Sequence, residues 1–254
     1  MNPAKTCQPS PMERVYEHLS QAVGRFFPPT CMLCLDPGQP PALDLCPACQ
    51  GDLPRDLPAC TGCALPLPRA DAFLCPDCLQ RPRAFDAAFA AYRYEFPVDS
   101  LIRRLKYGGD LAVARVLGTL LGQVAGTGHA LHVQALLPVP LHRRREAARG
   151  YNQAGEIARF AGRQMGLPVL AGYVRRSRAT AEQVGLGALE RAENLRGAFE
   201  LLRPLPVERV AIVDDVMTTG STAEELAAVL RTGGASWIEC WTVARAAVSP
   251  ARGA

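Results

Sequence analysis

VAIVDDVMTTGST, residues 210–222, sets an apolar run, two adjacent acids and a loop of small hydroxylated residues in that order. Residues 210–213 are continuous and rich in β-branched side chains, the pattern of a parallel strand covered on both faces. Asp214 and Asp215 follow at its carboxyl end, where open α/β sheets bind their ligands. Met217, Thr218, Thr219, Gly220, Ser221 and Thr222 then offer hydroxyl groups and successive backbone N–H groups ahead of a helix predicted over residues 223–231. Such a helix start attracts phosphate through its unpaired N–H groups and the positive end of its dipole. The stretch fits a site for a sugar bearing a phosphate. Neither GxxxxGK followed by Ser or Thr nor GxGxxG occurs in it, which excludes two other phosphate loops.

Strands and helices alternate upstream. Residues 87–94 read as a strand, 98–106 as a short helix and 111–124 as a longer apolar helix between Gly109 and Gly126. Residues 135–139 form a second predicted strand, 153–165 a helix and 169–174 a third strand. This order argues for a mostly parallel sheet. Cys240, within WIECWTVA, reads as a small hydrophobe of a last strand.

LLPVPLHRRREAARGYNQ, residues 136–153, is the second informative stretch, because Arg143, Arg144, Arg145 and Arg149 follow a buried strand. Guanidinium forks bind phosphate oxygens bidentately, so such a loop suits the phosphate oxygens of a ligand. A solvated basic helix start is the plainer alternative, and His142 reads as a surface residue. Residues 180–196 mix Gln183, Gly185, Gly187, Arg191, Asn194 and Arg196, a composition that suits either a mobile cover over a substrate or an ordinary surface hairpin.

Four CxxC pairs precede the alternation: Cys31 and Cys34, Cys46 and Cys49, Cys60 and Cys63, Cys75 and Cys78. Eleven residues separate the first pair from the second and eleven the third from the fourth, so a unit of about 29 residues occurs twice. Two thiolates in a tight knuckle grip one side of a tetrahedral Zn²⁺, and two knuckles close a structural site. The array predicts two zinc ions without an open coordination position. Sequential and cross-braced pairings both satisfy the spacing, and a disulfide framework is disfavoured in a chain that lacks an export signal.

The 254 residues are 48% apolar with a net charge of +4, enough for a real core and too mildly basic to imply nucleic acid from charge alone. No run of 18 apolar residues occurs, and Glu13, Arg14, Glu17 and Arg25 interrupt the first 30. These features predict a cytoplasmic protein without membrane insertion. Residues 12–27 have helical apolar spacing and end at Pro28 and Pro29, consistent with an amphipathic helix packed on its own protein. The expected division is a 1–30 amphipathic segment, a 31–80 double ribbon, an 84–247 α/β domain and a 248–254 tail.

Residues 210–222 resemble the 13-residue signature of the type I phosphoribosyltransferases, which bind 5-phosphoribosyl-1-pyrophosphate. The resemblance implies that residues 217–222 hold the 5′-phosphate and that Asp214 and Asp215 face the ribose hydroxyls. LKYGGD at 105–110, PVPL, RGYNQ, and EQ followed by RAENLRGAF narrow it further to the ComF family, over nearly the whole chain. By that resemblance Lys106, Arg149, Asn152, Gln153, Gln183, Arg191 and Asn194 join the site. It also implies a type I phosphoribosyltransferase-like α/β fold: Rossmann-like, mostly parallel, with a flexible hood and an N-terminal double zinc ribbon. Mg²⁺ is then expected with phosphoribosyl pyrophosphate, and DNA uptake in natural competence is the expected process. A non-catalytic rival, binding single-stranded DNA through the ribbon and through Arg143, Arg144, Arg145, Arg149, Arg175, Arg176 and Arg178, stays open, as do partnerships with other competence proteins. No acceptor is legible.

Overall fold

The computed structural model describes residues 29–38, 43–55, 58–69, 72–127, 132–178 and 195–247. The predicted helix over 12–27 and the segment carrying Gln183, Arg191 and Asn194 lie outside them. Two compact units divide the chain, Met1–Asp52 and Leu53–Ala254.

Among its described residues the first unit contains one short helix, α1 (Pro47–Gly51), which starts with a proline directly after Cys46. Proline at a first helical position loses no hydrogen bond and has the right φ already. The second unit begins with the same device: α2 (Pro76–Gln80) follows Cys75. The sequence repeat is thus a structural one, since the isolated bridge Thr30–Pro37 recurs as Ala59–Pro66.

The second unit continues with β1 (Ala87–Arg93), α3 (Val98–Gly108), α4 (Leu111–Gly126), β2 (Ala135–Pro138), α5 (Arg143–Arg149) and α6 (Gln153–Met165). Among the described residues β3 (Val174–Arg176), β4 (Phe199–Leu201), β5 (Arg209–Met217), α7 (Ser221–Thr232) and β6 (Trp237–Arg245) follow. Four strands form a parallel sheet in the order β1, β6, β5, β2. The central β5 is buried from Val210 to Val213, as its unbroken apolar sequence requires.

The two faces separate by strand alternation. Leu137, Val210, Ile212, Ile238 and Cys240 share a core with Leu226, Ala227 and Leu230 of α7. Leu136 faces the opposite way, toward α6, where a Cβ added at Gly162 would stand 3.7 Å from its Cδ1. On that side α4 approaches α6 so closely that a Cβ at Gly118 would meet Ile157 O at 2.5 Å and one at Gly122 would meet Gln164 Cβ at 2.9 Å. On β6, buried Glu239 accepts from both indoles of the chain, Trp237 Nε1 at 2.9 Å and Trp241 Nε1 at 2.7 Å. Among the described residues no helix is long and apolar enough to cross a membrane.

Three local expectations are corrected. The predicted third strand over 169–174 is not one strand: Val169 makes a single bridge to Leu136, and Val174–Arg176 pairs antiparallel with β4 instead. Gly172, at φ 73°, turns the chain out of the sheet between them. The arginine-rich segment after β2 is a short helix, not a loop, and His142 is its cap, accepting Arg144 N–H on Nδ1 at 3.3 Å. Finally, β5 runs through Asp214 and Asp215 to Met217, because β6 pairs with it up to Met217–Arg245.

Candidate functional site

The cysteines form two clusters, Cys31, Cys34, Cys46 and Cys49 in one and Cys60, Cys63, Cys75 and Cys78 in the other, each with its ligand atoms within 4.8 Å of one another. Pairing is therefore sequential. Sγ atoms of Cys34 and Cys46 are 3.6 Å apart and those of Cys63 and Cys75 3.7 Å. Those separations match the edge of about 3.8 Å that four Zn–S bonds of 2.3 Å give a tetrahedron, and they are far beyond a disulfide bond. Thiolate acceptance fits too: Cys49 N–H donates to Cys46 Sγ at 3.4 Å and Cys75 N–H to Cys60 Sγ at 3.2 Å. These are two closed, four-thiolate zinc sites, structural rather than catalytic.

A cavity of about 850 Å³ opens at the carboxyl end of the parallel strands. Asp214, Asp215 and all six residues of the 217–222 loop line it. The loop turns at Gly220, whose φ of 86° only glycine adopts without strain. Gly220, at the cap position of α7, has no side chain to offer, and Thr219 Oγ1 accepts Ser221 N–H at 3.4 Å. Thr219 and Ser221 hydroxyls lie 2.8 Å apart, bracketing that helix start. Free N–H groups, a helix dipole and two hydroxyls converge as a phosphate cradle requires.

The acids are not equivalent. Asp215 is 3% exposed, and its Oδ1 meets Lys106 Nζ at 3.0 Å, while Oδ2 is buried with no hydrogen-bond partner among the described residues. An orphaned carboxylate oxygen on a cavity wall is an acceptor for a ligand hydroxyl or a cation. Burial, and then the neighbouring charge of Asp215, push the Asp214 carboxyl up to about 7 against the pull of Lys106. Burial alone would lower the Lys106 ammonium, but Asp215, and behind it Asp214, outweigh this and hold it above its ordinary value.

The remaining predicted residues separate. Arg145, Arg149 and Gln153 line the cavity, with Arg149 Nη1 donating to Gln153 Oε1 at 2.5 Å and its guanidinium 5.8 Å above the Tyr107 ring. Arg143 and Arg144 are exposed and do not line it. Asn152 is a helix cap, accepting from Ala154 and Gly155 N–H and donating to Val139 O at 3.0 Å. One cavity residue was legible only as part of a basic cluster: Arg176, 8% exposed, reaches the wall because β3 bridges to His142 and packs its guanidinium 5.7 Å from the Phe199 ring. Burial, followed by the nearby charge of Arg145, lowers its pKa from the usual arginine value. Tyr94 and Thr242 also line the wall without any sequence signal of their own, and Tyr107 lines it from within LKYGGD.

Known proteins share this arrangement of sequence. Residues 22–79 match the double zinc ribbon domain. Competence protein F of Haemophilus influenzae is 35% identical over 209 residues, 80% of this chain and 90% of that protein. The DNA utilization protein YhgH of Escherichia coli K12 is 34% identical over 224 residues, 86% of this chain and 97% of its own. The chain belongs to the family of competence protein F and YhgH. YhgH of Salmonella typhimurium, at 32% identity over 223 residues, is a further member. Among solved structures, glutamine phosphoribosylpyrophosphate amidotransferase from B. subtilis, complexed with ADP and GMP, aligns at 19% identity with a TM-score of 0.35. That alignment covers 52% of this chain and 26% of the amidotransferase, too slight a likeness to bear on function.

Proposed function

We propose that the cavity binds phosphoribosyl pyrophosphate and that the protein is a phosphoribosyltransferase-like member of its family acting in DNA uptake during competence. The observation that carries this is the orphaned Oδ2 of Asp215 beside Asp214 and next to a Gly220-turned, hydroxyl-lined helix start, all on one wall. The 217–222 loop takes the 5′-phosphate, and Asp214 and Asp215 accept the vicinal ribose hydroxyls. Arg145 and Arg149, with the buried Arg176 behind them, neutralise the pyrophosphate, which is where charge develops as the C–O bond breaks toward an oxocarbenium-like ribose. Lys106 holds Asp215 in place through its 3.0 Å contact. Mg²⁺ arriving with the pyrophosphate would add further charge neutralisation. The names of the relatives, a competence protein and DNA utilization proteins, support the cellular role.

Titration calorimetry with phosphoribosyl pyrophosphate and Mg²⁺ tests the reading: the wild type binds and Asp214→Ala/Asp215→Ala does not. Absence of binding to the wild type sinks it. The exposed Arg143 and Arg144, which do not line the cavity, favour a second reading in which single-stranded DNA is held outside it. That reading requires oligonucleotide affinity that falls with rising salt and with Arg143→Ala/Arg144→Ala, without competition from phosphoribosyl pyrophosphate.

A further inference from the structure

The two zinc sites are copies in sequence but not in setting. Leu35 and Ala64 occupy equivalent positions directly after the second cysteine of a knuckle, and both have a left-handed backbone, φ 69° and 58°. Leu35 is 78% exposed, whereas Ala64 is 3% exposed and belongs to the core shared by β2, β5, β6 and α7. The second knuckle is also hydrogen-bonded to that core, since Ala88 N–H donates to Thr61 O at 2.8 Å.

Arg245, the last residue of β6, makes the closest link. Its buried guanidinium donates through Nε to Cys63 O at 2.8 Å, and through Nη1 to Met217 O at 3.1 Å, Ala246 O at 2.7 Å and Thr218 O. One side chain therefore joins the backbone of a zinc ligand to the first two carbonyls of the phosphate loop. A trans peptide holds C=O and N–H antiparallel, so turning the Met217 and Thr218 carbonyls toward Arg245 turns the Thr218 and Thr219 N–H groups the other way, toward the cavity that both residues line. Arg83 makes a parallel link. It donates from Nε to Cys78 Sγ at 3.4 Å and from Nη1 to Glu224 Oε1 at 3.3 Å, and Glu224 lies in the first turn of α7 and accepts Ala84 N–H at 2.7 Å.

We propose that Arg245 is a positioning residue that sets the anion-binding orientation of the phosphate loop, and that the second zinc site, through Cys63, is the anchor it pulls against. The ligand part of this rests on the phosphoribosyl pyrophosphate reading; the coupling of zinc site to loop does not. Lysine at 245 keeps the charge but loses the planar fork, which is the feature that spans Cys63 O and the two loop carbonyls.

Hydrogen exchange on the full-length, zinc-loaded protein measures the coupling without any ligand. Arg245→Lys and Arg245→Gln accelerate exchange of the amides of residues 217–222, while the amides of α4 exchange as in the wild type and both zinc ions are retained. Chelation of zinc from the wild type accelerates the same loop amides. Unchanged loop exchange in both variants and after chelation overturns the proposal, and so does acceleration of loop and α4 together, which marks general destabilisation. Calorimetry with phosphoribosyl pyrophosphate and Mg²⁺ is the second measurement, with the dissociation constant of Arg245→Lys rising about tenfold to a hundredfold, as a displaced binding group produces. An unchanged constant beside a loosened loop overturns the anion-positioning part. If the wild type itself does not bind, the functional reading fails while the exchange data still decide the coupling.

Discussion

At the residue scale the decisive group is Asp214, whose carboxyl titrates near neutrality because it is half-buried beside a second acid. Its folded pKa of about 7 lies above the ordinary value of 3.8. The stability that the protonated form contributes is therefore complete below about pH 4 and is lost as pH rises through about 7. On the proposed reading ligand affinity runs the opposite way, because the ionised carboxylate is the stronger acceptor for the ribose hydroxyls. Affinity for phosphoribosyl pyrophosphate rises between about pH 6 and pH 8, while the denaturation midpoint of the free protein falls over about pH 4 to 7. Asp214→Asn flattens both curves, which calorimetry and urea titration at matched pH read directly. Lys106→Met removes the partner of a nearly inaccessible carboxylate and costs on the order of 3 kcal/mol in urea unfolding; Lys106→Met/Asp215→Asn recovers most of it. The two acids and their loop were legible in the sequence because thirteen consecutive residues contain them. Arg176 was not, since its place on the wall depends on pairing with β4 and with His142, residues far from it along the chain.

At the element scale, close approach explains what apolar periodicity left out. The sequence marks α4 as an apolar helix between two glycines, but Gly118 and Gly122 inside it matter more, because they let α4 lie against α6. Gly118→Ala drives a Cβ into a backbone carbonyl and costs about 1–3 kcal/mol, whereas Gly126→Ala meets nothing and leaves the free energy of urea unfolding within about 0.5 kcal/mol of the wild type. Gly220→Ala also meets nothing, so its penalty is the left-handed φ alone, about 1–2 kcal/mol, accompanied by weaker phosphate-ligand binding. The strand expected over 169–174 failed for a related reason. Its composition suits a strand, but pairing with β2 stops after one bridge, with Leu136 N–H donating to Pro168 O and Leu170 N–H to Leu136 O, and Gly172 then turns the chain away.

Across the whole molecule, the repeat of 29 residues announced two metal sites, and the structure adds which cysteines share each one. Spacing alone could not, because both pairings place two knuckles within reach of one ion. The sites differ in access: all four cysteines of the second cluster are buried, while Cys34 of the first is exposed and Cys49 half-buried. Zinc analysis of the purified protein gives two ions per chain, and chelator-induced release is biphasic, the first cluster emptying before the second. A single release phase would contradict the difference in burial. The shared carboxylate of Glu239 has a further use, since it fixes both tryptophans of the chain on β6 and Met1–Asp52 contains none. Tryptophan emission, excited apart from tyrosine, is consequently an optical gauge of the sheet, and melting of the first unit is visible by circular dichroism but silent in that emission.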